Sequence, residues 1–283
     1  MPQVVMELGR LRRQVDRLRA LPTFDTTIAR IVAALDRPDG GHAVAAVLIE
    51  RDQVLTAQLL RLANSAFYGL SGRVGSVLQA LTVLGTIVSR SLVCCTAALD
   101  RHALPGLWEH SMGTAAAAGA IARQLRLPEP QEISAAGLLH DLGKVVLFRQ
   151  APEAFAAVEG RARARGCRFL EAEHALLGTD HAEIAGWLLP RWRLPPRMVD
   201  AVAWHHDPGR ASEGKMEAVV VHLANTVVHA LGIGFGGDDR VPPIDPTVPE
   251  LLGLSAADTE TLLVHAVRAL RGATQASATA PGA

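Results

Sequence analysis

The sequence predicts an all-α, two-lobed fold, and three observations support that prediction. Apolar residues recur at the three- and four-residue spacing of helices along almost the whole chain. Period-two alternation never persists long enough to indicate a sheet, and glycine and proline divide the chain into helix-length segments. The chain has 283 residues, of which 49% are apolar and 20% charged, so it can bury the core of one large domain or two small ones.

The first element is a basic amphipathic helix predicted over residues 1–20. Leu8, Leu11, Val15 and Leu18 form a short apolar seam among several arginines. Because fewer than three heptads are present, we favour a helix that packs on its own domain. The alternative is a helix that contacts a partner or assists a homodimer.

Two groups of helices follow this first helix. Residues 21–106 predict four or five helices, and residues 107–271 predict a second lobe. The last helix begins with Ser255 as its N-cap and is expected to end at Gly272. Residues 272–283 are small and polar, which predicts disorder.

The LANSAFYGL segment of the first lobe predicts a sharp corner between two helices. Asn64 and Ser65 can bond to the backbone at the end of a helix, and Gly69 can adopt a positive φ. We favour a packed corner anchored by Phe67 and Tyr68 over a knob that binds a partner, because aromatic residues at turns are usually buried.

A long loop without regular structure is predicted at residues 232–249, where four glycines and four prolines are concentrated. The loop contains a G-x-G-x-x-G spacing at Gly232, Gly234 and Gly237. A helix precedes this spacing and prolines follow it, whereas a dinucleotide-binding turn needs a strand before it and a helix after it. We therefore interpret the segment as a surface loop rather than a cofactor site.

Composition excludes several classes of function. Lysine plus arginine and aspartate plus glutamate both number 28, so no global charge attracts nucleic acid or an anionic membrane. The hypothesis of a nucleic-acid-binding regulator would be supported only by the N-terminal arginines. Cys94, Cys95 and Cys167 cannot form a secreted disulfide framework, and nowhere do 18 apolar residues run uninterrupted. These features predict a cytoplasmic protein without membrane association.

Several histidines and one aspartate lie on or beside apolar helical stretches, where an unpaired imidazole or carboxylate is costly to bury. The predicted set is His110, His140, Asp141, His181, His205 and His206. A single residue of this kind usually has a structural role, with its hydrogen bonds satisfied within the fold. Together, however, the six residues indicate a site for divalent Zn, Fe, Mn or Ni. The two oxygens of Asp141 could ligate two ions.

Lys144 follows Asp141 by three residues, which places its ammonium group on the same helical face, where it could meet an anionic oxygen of a ligand. Five other histidines show no comparable arrangement, and structural roles are predicted for them. They are His102, His174, His222, His229 and His265.

The motif LLHDLGK, with a histidine thirty residues upstream and with DHAEIAGWLL and a His-His pair downstream, resembles the HD superfamily of metal-dependent phosphohydrolases. Together with LLRLANSAFYGL and QALTVLG, it makes residues 21–232 similar to the HDOD domain, an HD-related module of bacterial signalling proteins. The resemblance implies an all-helical, two-lobed domain over residues 21–271 that serves as a regulatory module, often with a degenerate metal site.

By position, the six predicted residues match metal ligands of catalytic HD relatives, including the HD-GYP cyclic diguanylate phosphodiesterases, and Lys144 matches their phosphate-facing lysine. Three departures are present. Asn225 stands where those relatives carry a ligand aspartate, Gly106 stands where three-metal relatives carry a glutamate, and no Gly-Tyr-Pro loop follows His206. Because Asn225 lacks the negative charge of that aspartate, the resemblance implies a single, weakly held ion. The missing loop argues against cyclic diguanylate as a substrate.

These inferences favour a bacterial regulatory protein that acts through protein–protein interaction and has a partly degenerate metal site. The main alternative is a metal-dependent phosphohydrolase acting on a nucleotide or phosphodiester, in which Lys144 would stabilise phosphoryl charge and the metal would activate water.

Overall fold

The structure is a computed structural model that describes residues 8–17, 26–64, 73–98, 104–192, 194–237 and 240–278. The described residues contain α-helices, two short 3-10 helices and no strand, which confirms the predicted all-α fold. The α-helices are α1 (Leu8–Arg17), α2 (Thr26–Leu35), α3 (Gly41–Ile49), α4 (Gln53–Ala63), α5 (Val77–Ala98), α6 (Leu107–Gln124), α7 (Pro130–Leu139), α8 (Leu142–Gln150), α9 (Pro152–Arg165), α10 (Phe169–Leu177), α11 (His181–Leu188), α12 (Pro196–Ala203), α13 (Lys215–Ala230), α14 (Val248–Leu252) and α15 (Ala256–Ala278).

The first lobe is built around α5, on which α2, α3 and α4 pack. Helix α5 is interrupted at Gly85, where φ 75° and ψ 170° fall in a region open essentially only to glycine.

The window Val77–Cys94 of α5 is the one described stretch long and apolar enough to cross a membrane. Since 61% of that window is buried inside the protein, it has the character of a core helix.

Asn64 closes the corner that follows α4. Its amide nitrogen donates to the carbonyl of Val74 at 2.8 Å, and its amide oxygen accepts from the Val74 N–H at 3.0 Å. The side chain therefore bonds to the backbone at the helix end, as predicted. Ser65, Phe67, Tyr68 and Gly69 lie outside the described residues, and the interpretation of the two aromatics stays a prediction.

The two lobes share a hydrophobic core. One continuous cluster of buried apolar side chains extends from Leu11 to Val221 and includes residues of both lobes, because α5 packs against α7 and α8. A second cluster joins α6, α13 and α15. The predicted boundary near residue 106 thus separates two groups of helices that are joined through one core.

Helix α1 packs on α8 and α11 of its own chain. Leu11 and Val15 of the predicted seam are 1% and 0% exposed, and the Arg12 guanidinium lies 5.0 Å from the centroid of the Trp187 ring. Leu18 and the other residues of the predicted range 1–20 beyond Leu8–Arg17 lie outside the described residues. The seam is used within the chain, and its assistance to a homodimer stays a prediction.

Leu11→Ala is expected to lower the free energy of unfolding by about 3 kcal/mol, because the substitution leaves a cavity in the shared core. Denaturant unfolding measures this loss, and light scattering should show an unchanged molar mass. Arg10→Ala, at an exposed position of the same helix, is the control and should shift stability by no more than about 0.5 kcal/mol. A lower molar mass with unchanged stability would identify the seam as a dimer contact instead.

Helix α15 begins as predicted but does not end at Gly272. The Ser255 hydroxyl accepts from the N–H of Asp258 at 3.2 Å, and the Asp258 carboxylate accepts from the Ser255 hydroxyl at 2.6 Å. The helix continues to Ala278, so the disorder predicted from residue 272 is wrong as far as 278. A single glycine inside a helix costs only about 1 kcal/mol relative to alanine, and the next proline is Pro281.

The predicted surface loop at residues 232–249 is more ordered than expected. Gly236, Pro242 and Val248 are buried, and α14 begins at Val248. Pro249 is compatible with α14 because a proline in the first turn removes no helical hydrogen bond. The interpretation of the segment as a plain surface loop is therefore wrong for these residues, which pack on the second lobe.

Candidate metal site

The six side chains predicted as ligands come from four places in the second lobe. His110 lies in the first turn of α6, His140 and Asp141 lie between α7 and α8, and His181 is the first residue of α11. His205 and His206 follow the end of α12. All are at most 1% exposed except the half-buried His206. The structure brings these residues together in one buried cluster, and their role as ligands stays a prediction.

Asp141 joins two groups of histidines. Its Oδ2 lies 3.6 Å from His110 Nε2 and 3.4 Å from His140 Nε2, and these three residues form one group that could hold a metal ion. Its Oδ1 lies 3.1 Å from Nε2 of His181, which forms a second such group with His205 and His206. The carboxylate therefore lies between the two groups, and its ligation of two ions stays a prediction.

Backbone carbonyls fix the orientation of two imidazoles. Nδ1 of His140 donates to the carbonyl of Gly137, and Nδ1 of His205 donates to that of Val202, both at 2.8 Å. Each bond leaves the Nε2 lone pair available to a ligand. Nε2 of His205 is buried and has no hydrogen-bond partner among the described residues. An orphaned acceptor of this kind fits a metal ligand.

Burial keeps most of these imidazoles neutral. It lowers the pKa of His110 to about 4 and that of His140 to about 3, although the Asp141 carboxylate opposes the shift. The pKa values of His205 and His206 also fall well below the usual range because of burial. Neutral imidazole is the form that binds a metal, so these four histidines are in the metal-binding form at neutral pH.

His181 differs from the other imidazoles because Glu173 lies against it. Nδ1 of His181 donates to Glu173 Oε2 at 2.6 Å, and both side chains are almost wholly buried. Burial acts to lower the pKa of His181, but the Glu173 carboxylate outweighs it and raises the pKa to about 9. A carboxylate behind a ligand histidine orients the ring and makes the other nitrogen more basic.

Sequence reasoning missed Glu173, although a signal was present. Phe169, Ala172, Glu173 and Leu177 recur at helical spacing on the buried face of α10. A glutamate on an apolar face needs a partner, and the partner is His181 on the next helix.

Glu173→Gln is expected to weaken metal binding at the group of His181, His205 and His206 by about tenfold or more, because glutamine keeps the shape and the hydrogen bond but removes the charge behind His181. Titration with Co²⁺ in competition with a chelator measures the affinity, and the Co²⁺ absorption spectrum reports the ligand set. Glu171→Gln is the matched control, since Glu171 lies on the same helix and is exposed. Equal affinities in the two variants would contradict the role of Glu173.

Lys144 lies between Asp141 and the glycine-rich loop. Its Nζ is 2.8 Å from Asp141 Oδ1 and donates a hydrogen bond to the carbonyl oxygen of Gly236. Burial acts to raise the pKa of Asp141, but neighbouring His140 and Lys144 outweigh it and hold the pKa well below its usual range. Lys144 thus pairs with an anionic oxygen of the protein itself, Oδ1 of Asp141.

Two residues of α13, Asn225 and His229, complete the site. Asn225 is 4% exposed, and its Oδ1 is buried with no hydrogen-bond partner among the described residues. The His229 ring, four residues along α13, lies 4.6 Å from the His110 ring. The structural role predicted for His229 is therefore incomplete, because its ring packs directly on a candidate ligand. The shared helical face with Asn225 was the signal.

The other histidines with predicted structural roles make hydrogen bonds of that kind. His174 pairs with Asp180 at 2.7 Å, and His265 bonds to Gln124 at 2.8 Å. His222 donates from Nδ1 to the carbonyl of His205 and accepts the Asp245 N–H at Nε2, which ties the loop to the site. His102 lies outside the described residues.

The glycine-rich loop covers the cluster. The Phe235 N–H donates to the carbonyl of Gly106 at 3.0 Å, and Gly236 follows it over the imidazoles. A Cβ on Gly236 would lie 3.0 Å from the His229 ring and 3.3 Å from His110 Nε2, so any side chain at this position would crowd both imidazoles. The remaining cavity, bordered by Lys144 and Asn225, has a volume of about 20 Å³. That volume accommodates little more than one water molecule.

Comparison with known proteins identifies the family. The family model of the HDOD domain matches residues 21–208. The chain belongs to the HDOD domain family. The match confirms the resemblance seen in the sequence, and the HDOD chain has the helical fold of its relatives.

A curated relative of the HDOD chain is an uncharacterized protein of Treponema pallidum (strain Nichols), 25% identical over 275 residues. The match covers 94% of this chain and 52% of the relative, so the chain spans about half the length of the curated relative.

Solved structures resemble the HDOD chain along most of its length. An HDOD domain protein of unknown function from Geobacter sulfurreducens has a TM-score of 0.64 and 27% identity, with 93% of this chain and 98% of that chain covered. A protein named as a phosphohydrolase, from Shewanella amazonensis SB2B, has a TM-score of 0.62 and 24% identity, with 92% of this chain and 97% of that chain covered. One named as a signal transduction protein, from Marinobacter aquaeolei VT8, has a TM-score of 0.62 and 24% identity, with 98% of this chain and 68% of that chain covered. The latter two show the fold alone.

Proposed function

We propose that this chain is a regulatory HDOD module of bacterial cytoplasmic signal transduction that binds a protein partner and holds one divalent metal ion in its second lobe. The observation that carries the proposal is the closure of the histidine cluster by Gly236 and Lys144. A cavity of about 20 Å³ has no room for a phosphate ester, because ligand pockets usually measure about 300 Å³ or more. A closed site of this kind suits an ion that stabilises or reports a conformation.

The metal would be held by His110, His140 and Oδ2 of Asp141, where three acceptor atoms converge. A bound divalent ion supplies Lewis acidity and fixes the relative positions of α6, α7 and α8. The second group is a weaker site because the Lys144 ammonium already lies 2.8 Å from Asp141 Oδ1. Asn225 adds no negative charge there, so two divalent ions would leave an excess of positive charge.

A second candidate function is hydrolysis of a nucleotide or another phosphodiester. The observation that favours it is the bridging position of Asp141 between two groups of histidines, with Lys144 beside them. Substrate access would require Gly236 to move away from His110 and His229, and Lys144 to exchange the Gly236 carbonyl for a phosphoryl oxygen.

Metal analysis and a turnover assay on the same preparation test the two candidates. After mild chelation and back-titration with Mn²⁺, Fe²⁺ or Ni²⁺, elemental analysis is expected to find about one ion per chain or less. The loaded protein should show no metal-dependent turnover of cyclic dinucleotides, nucleotides or generic phosphodiesters, and a pull-down from the native host should recover a protein partner from both wild type and Asp141→Asn. Two tightly held ions, or hydrolysis that Asp141→Asn abolishes, would overturn the proposal.

A further inference from the structure

A second cavity lies on the outer side of the loop that covers the metal site. This outer cleft is formed by the C-terminal half of α9, the residues that follow it, and the loop; its side chains include Glu159, Ala162, Arg163, Cys167, Phe235 and Arg240. Its volume is about 390 Å³, which lies in the range of small-molecule sites. None of these residues is a candidate metal ligand.

The outer cleft combines an apolar wall with positive charge. Phe235 is 40% exposed, which is high for a large aromatic ring, and its backbone N–H is anchored to Gly106. The main chain that carries the ring is therefore held in place before any ligand arrives, which reduces the entropy lost on binding. Ala162 adds a buried apolar surface on α9.

Two guanidinium groups border the cleft and one carboxylate opposes them. Arg163 pairs with Glu159 at 3.5 Å, and the two side chains are 80% and 42% exposed, so this surface pair is weak and easily exchanged. Arg240 passes over Gly166, where one of its terminal nitrogens lies 3.1 Å from the position a Cβ would take. Among the residues that line the cleft, two arginines outnumber the one carboxylate, Glu159, and Glu171 lies close enough to Arg240 to interact with it electrostatically.

We propose that the outer cleft binds a small organic anion, with its flat apolar body against Phe235 and Ala162 and its carboxylate, sulfonate or phosphate between Arg163 and Arg240. Guanidinium groups bind such anions through charge-assisted hydrogen bonds, and an aromatic wall favours a flat ligand. This site goes beyond the proposed function and does not depend on a metal.

The outer cleft and the metal-site cavity share one residue and one segment. Arg240 borders both cavities, and Phe235 directly precedes Gly236, whose carbonyl accepts from Lys144. An anion in the outer cleft would therefore contact the cover of the metal site, as an effector of a signalling module would.

The test uses the full chain and the probe 8-anilinonaphthalene-1-sulfonate, with N-phenyl-1-naphthylamine as the matched neutral probe that lacks the sulfonate. Cys167 lies in the cleft and reports occupancy through its rate of alkylation by N-ethylmaleimide. The measurement is made in a Cys95→Ser background. Cys94 does not interfere, because it is buried and burial raises the pKa of its thiol to about 12.

Wild type is expected to bind about one sulfonate probe per chain. At saturating probe, N-ethylmaleimide should alkylate Cys167 at least about fivefold more slowly than in the free protein. Arg163→Gln and Arg240→Gln should each weaken sulfonate binding by about tenfold and leave the neutral probe unaffected. Arg61→Gln, an exposed arginine of the first lobe, should bind like wild type.

Arg163 is 80% exposed, so its replacement keeps the fold and the test remains decisive. Alkylation of Cys167 that is unchanged at saturating sulfonate probe would overturn the proposal. Sulfonate affinity that falls equally in Arg61→Gln and Arg163→Gln would do the same, because it would reveal binding to general positive charge. Neither result depends on metal content or turnover, so failure here is separate from failure of the proposed function.

Discussion

Replacing Asp141 with asparagine is expected to weaken metal binding by about a hundredfold or more. Asp141 is the one carboxylate in the two groups of candidate ligands found among the described residues, and both of its oxygens face histidines. Asparagine keeps the shape of the side chain but removes the negative charge that a divalent ion requires. Calorimetric titration with Mn²⁺ or Zn²⁺ measures the loss.

The same variant should lose stability in the absence of metal, because Lys144 would keep a buried positive charge without its carboxylate partner. Lys144 is 6% exposed, and breaking a buried ion pair by removing one partner costs about 3–5 kcal/mol. The fold should survive this loss. The control is the double variant Asp141→Asn, Lys144→Met, which should recover part of the stability but none of the metal affinity. Unchanged metal affinity in Asp141→Asn would show that this cluster is not the metal site.

Asn225→Asp is expected to have the opposite effect and to raise metal affinity by about tenfold or more. The Asn225 side chain borders the same cavity as His181 and His206, and its buried Oδ1 has no hydrogen-bond partner among the residues that the structure describes. A carboxylate there would restore the negative charge that a second ion needs. Elemental analysis should then find more than one ion per chain.

Asn225→Ala separates the charge of the new carboxylate from the oxygen that asparagine already provides. If the amide oxygen is a ligand, affinity should increase in the order Ala, Asn, Asp. If only charge matters, Ala and Asn should bind equally and Asp more tightly. An Asn225→Asp variant that binds no more metal than wild type would refute the argument that this position limits the site to one ion.

Helical periodicity was sufficient to predict the fold class, because the spacing of apolar residues along one helix is a local property of the chain. The residue types at the helix ends predicted local features, namely the cap at Ser255 and the bonds of Asn64 to the backbone at the end of α4. The same local reasoning failed at Gly272, where the low cost of one glycine could not be weighed against the rest of α15.

The sequence by itself determined which residues are candidate metal ligands and where an amide stands in place of an expected carboxylate, since His140, Asp141 and Asn225 are recognisable from their motifs. Only the tertiary structure decided that Glu173 lies behind His181 and that His229 packs on His110. It also decided that Lys144 contacts Gly236, 92 residues away along the chain. Contacts across such separations depend on how helices and loops pack together, and no local pattern encodes that packing. Closure of the site by a glycine-rich loop is a property of the assembled fold.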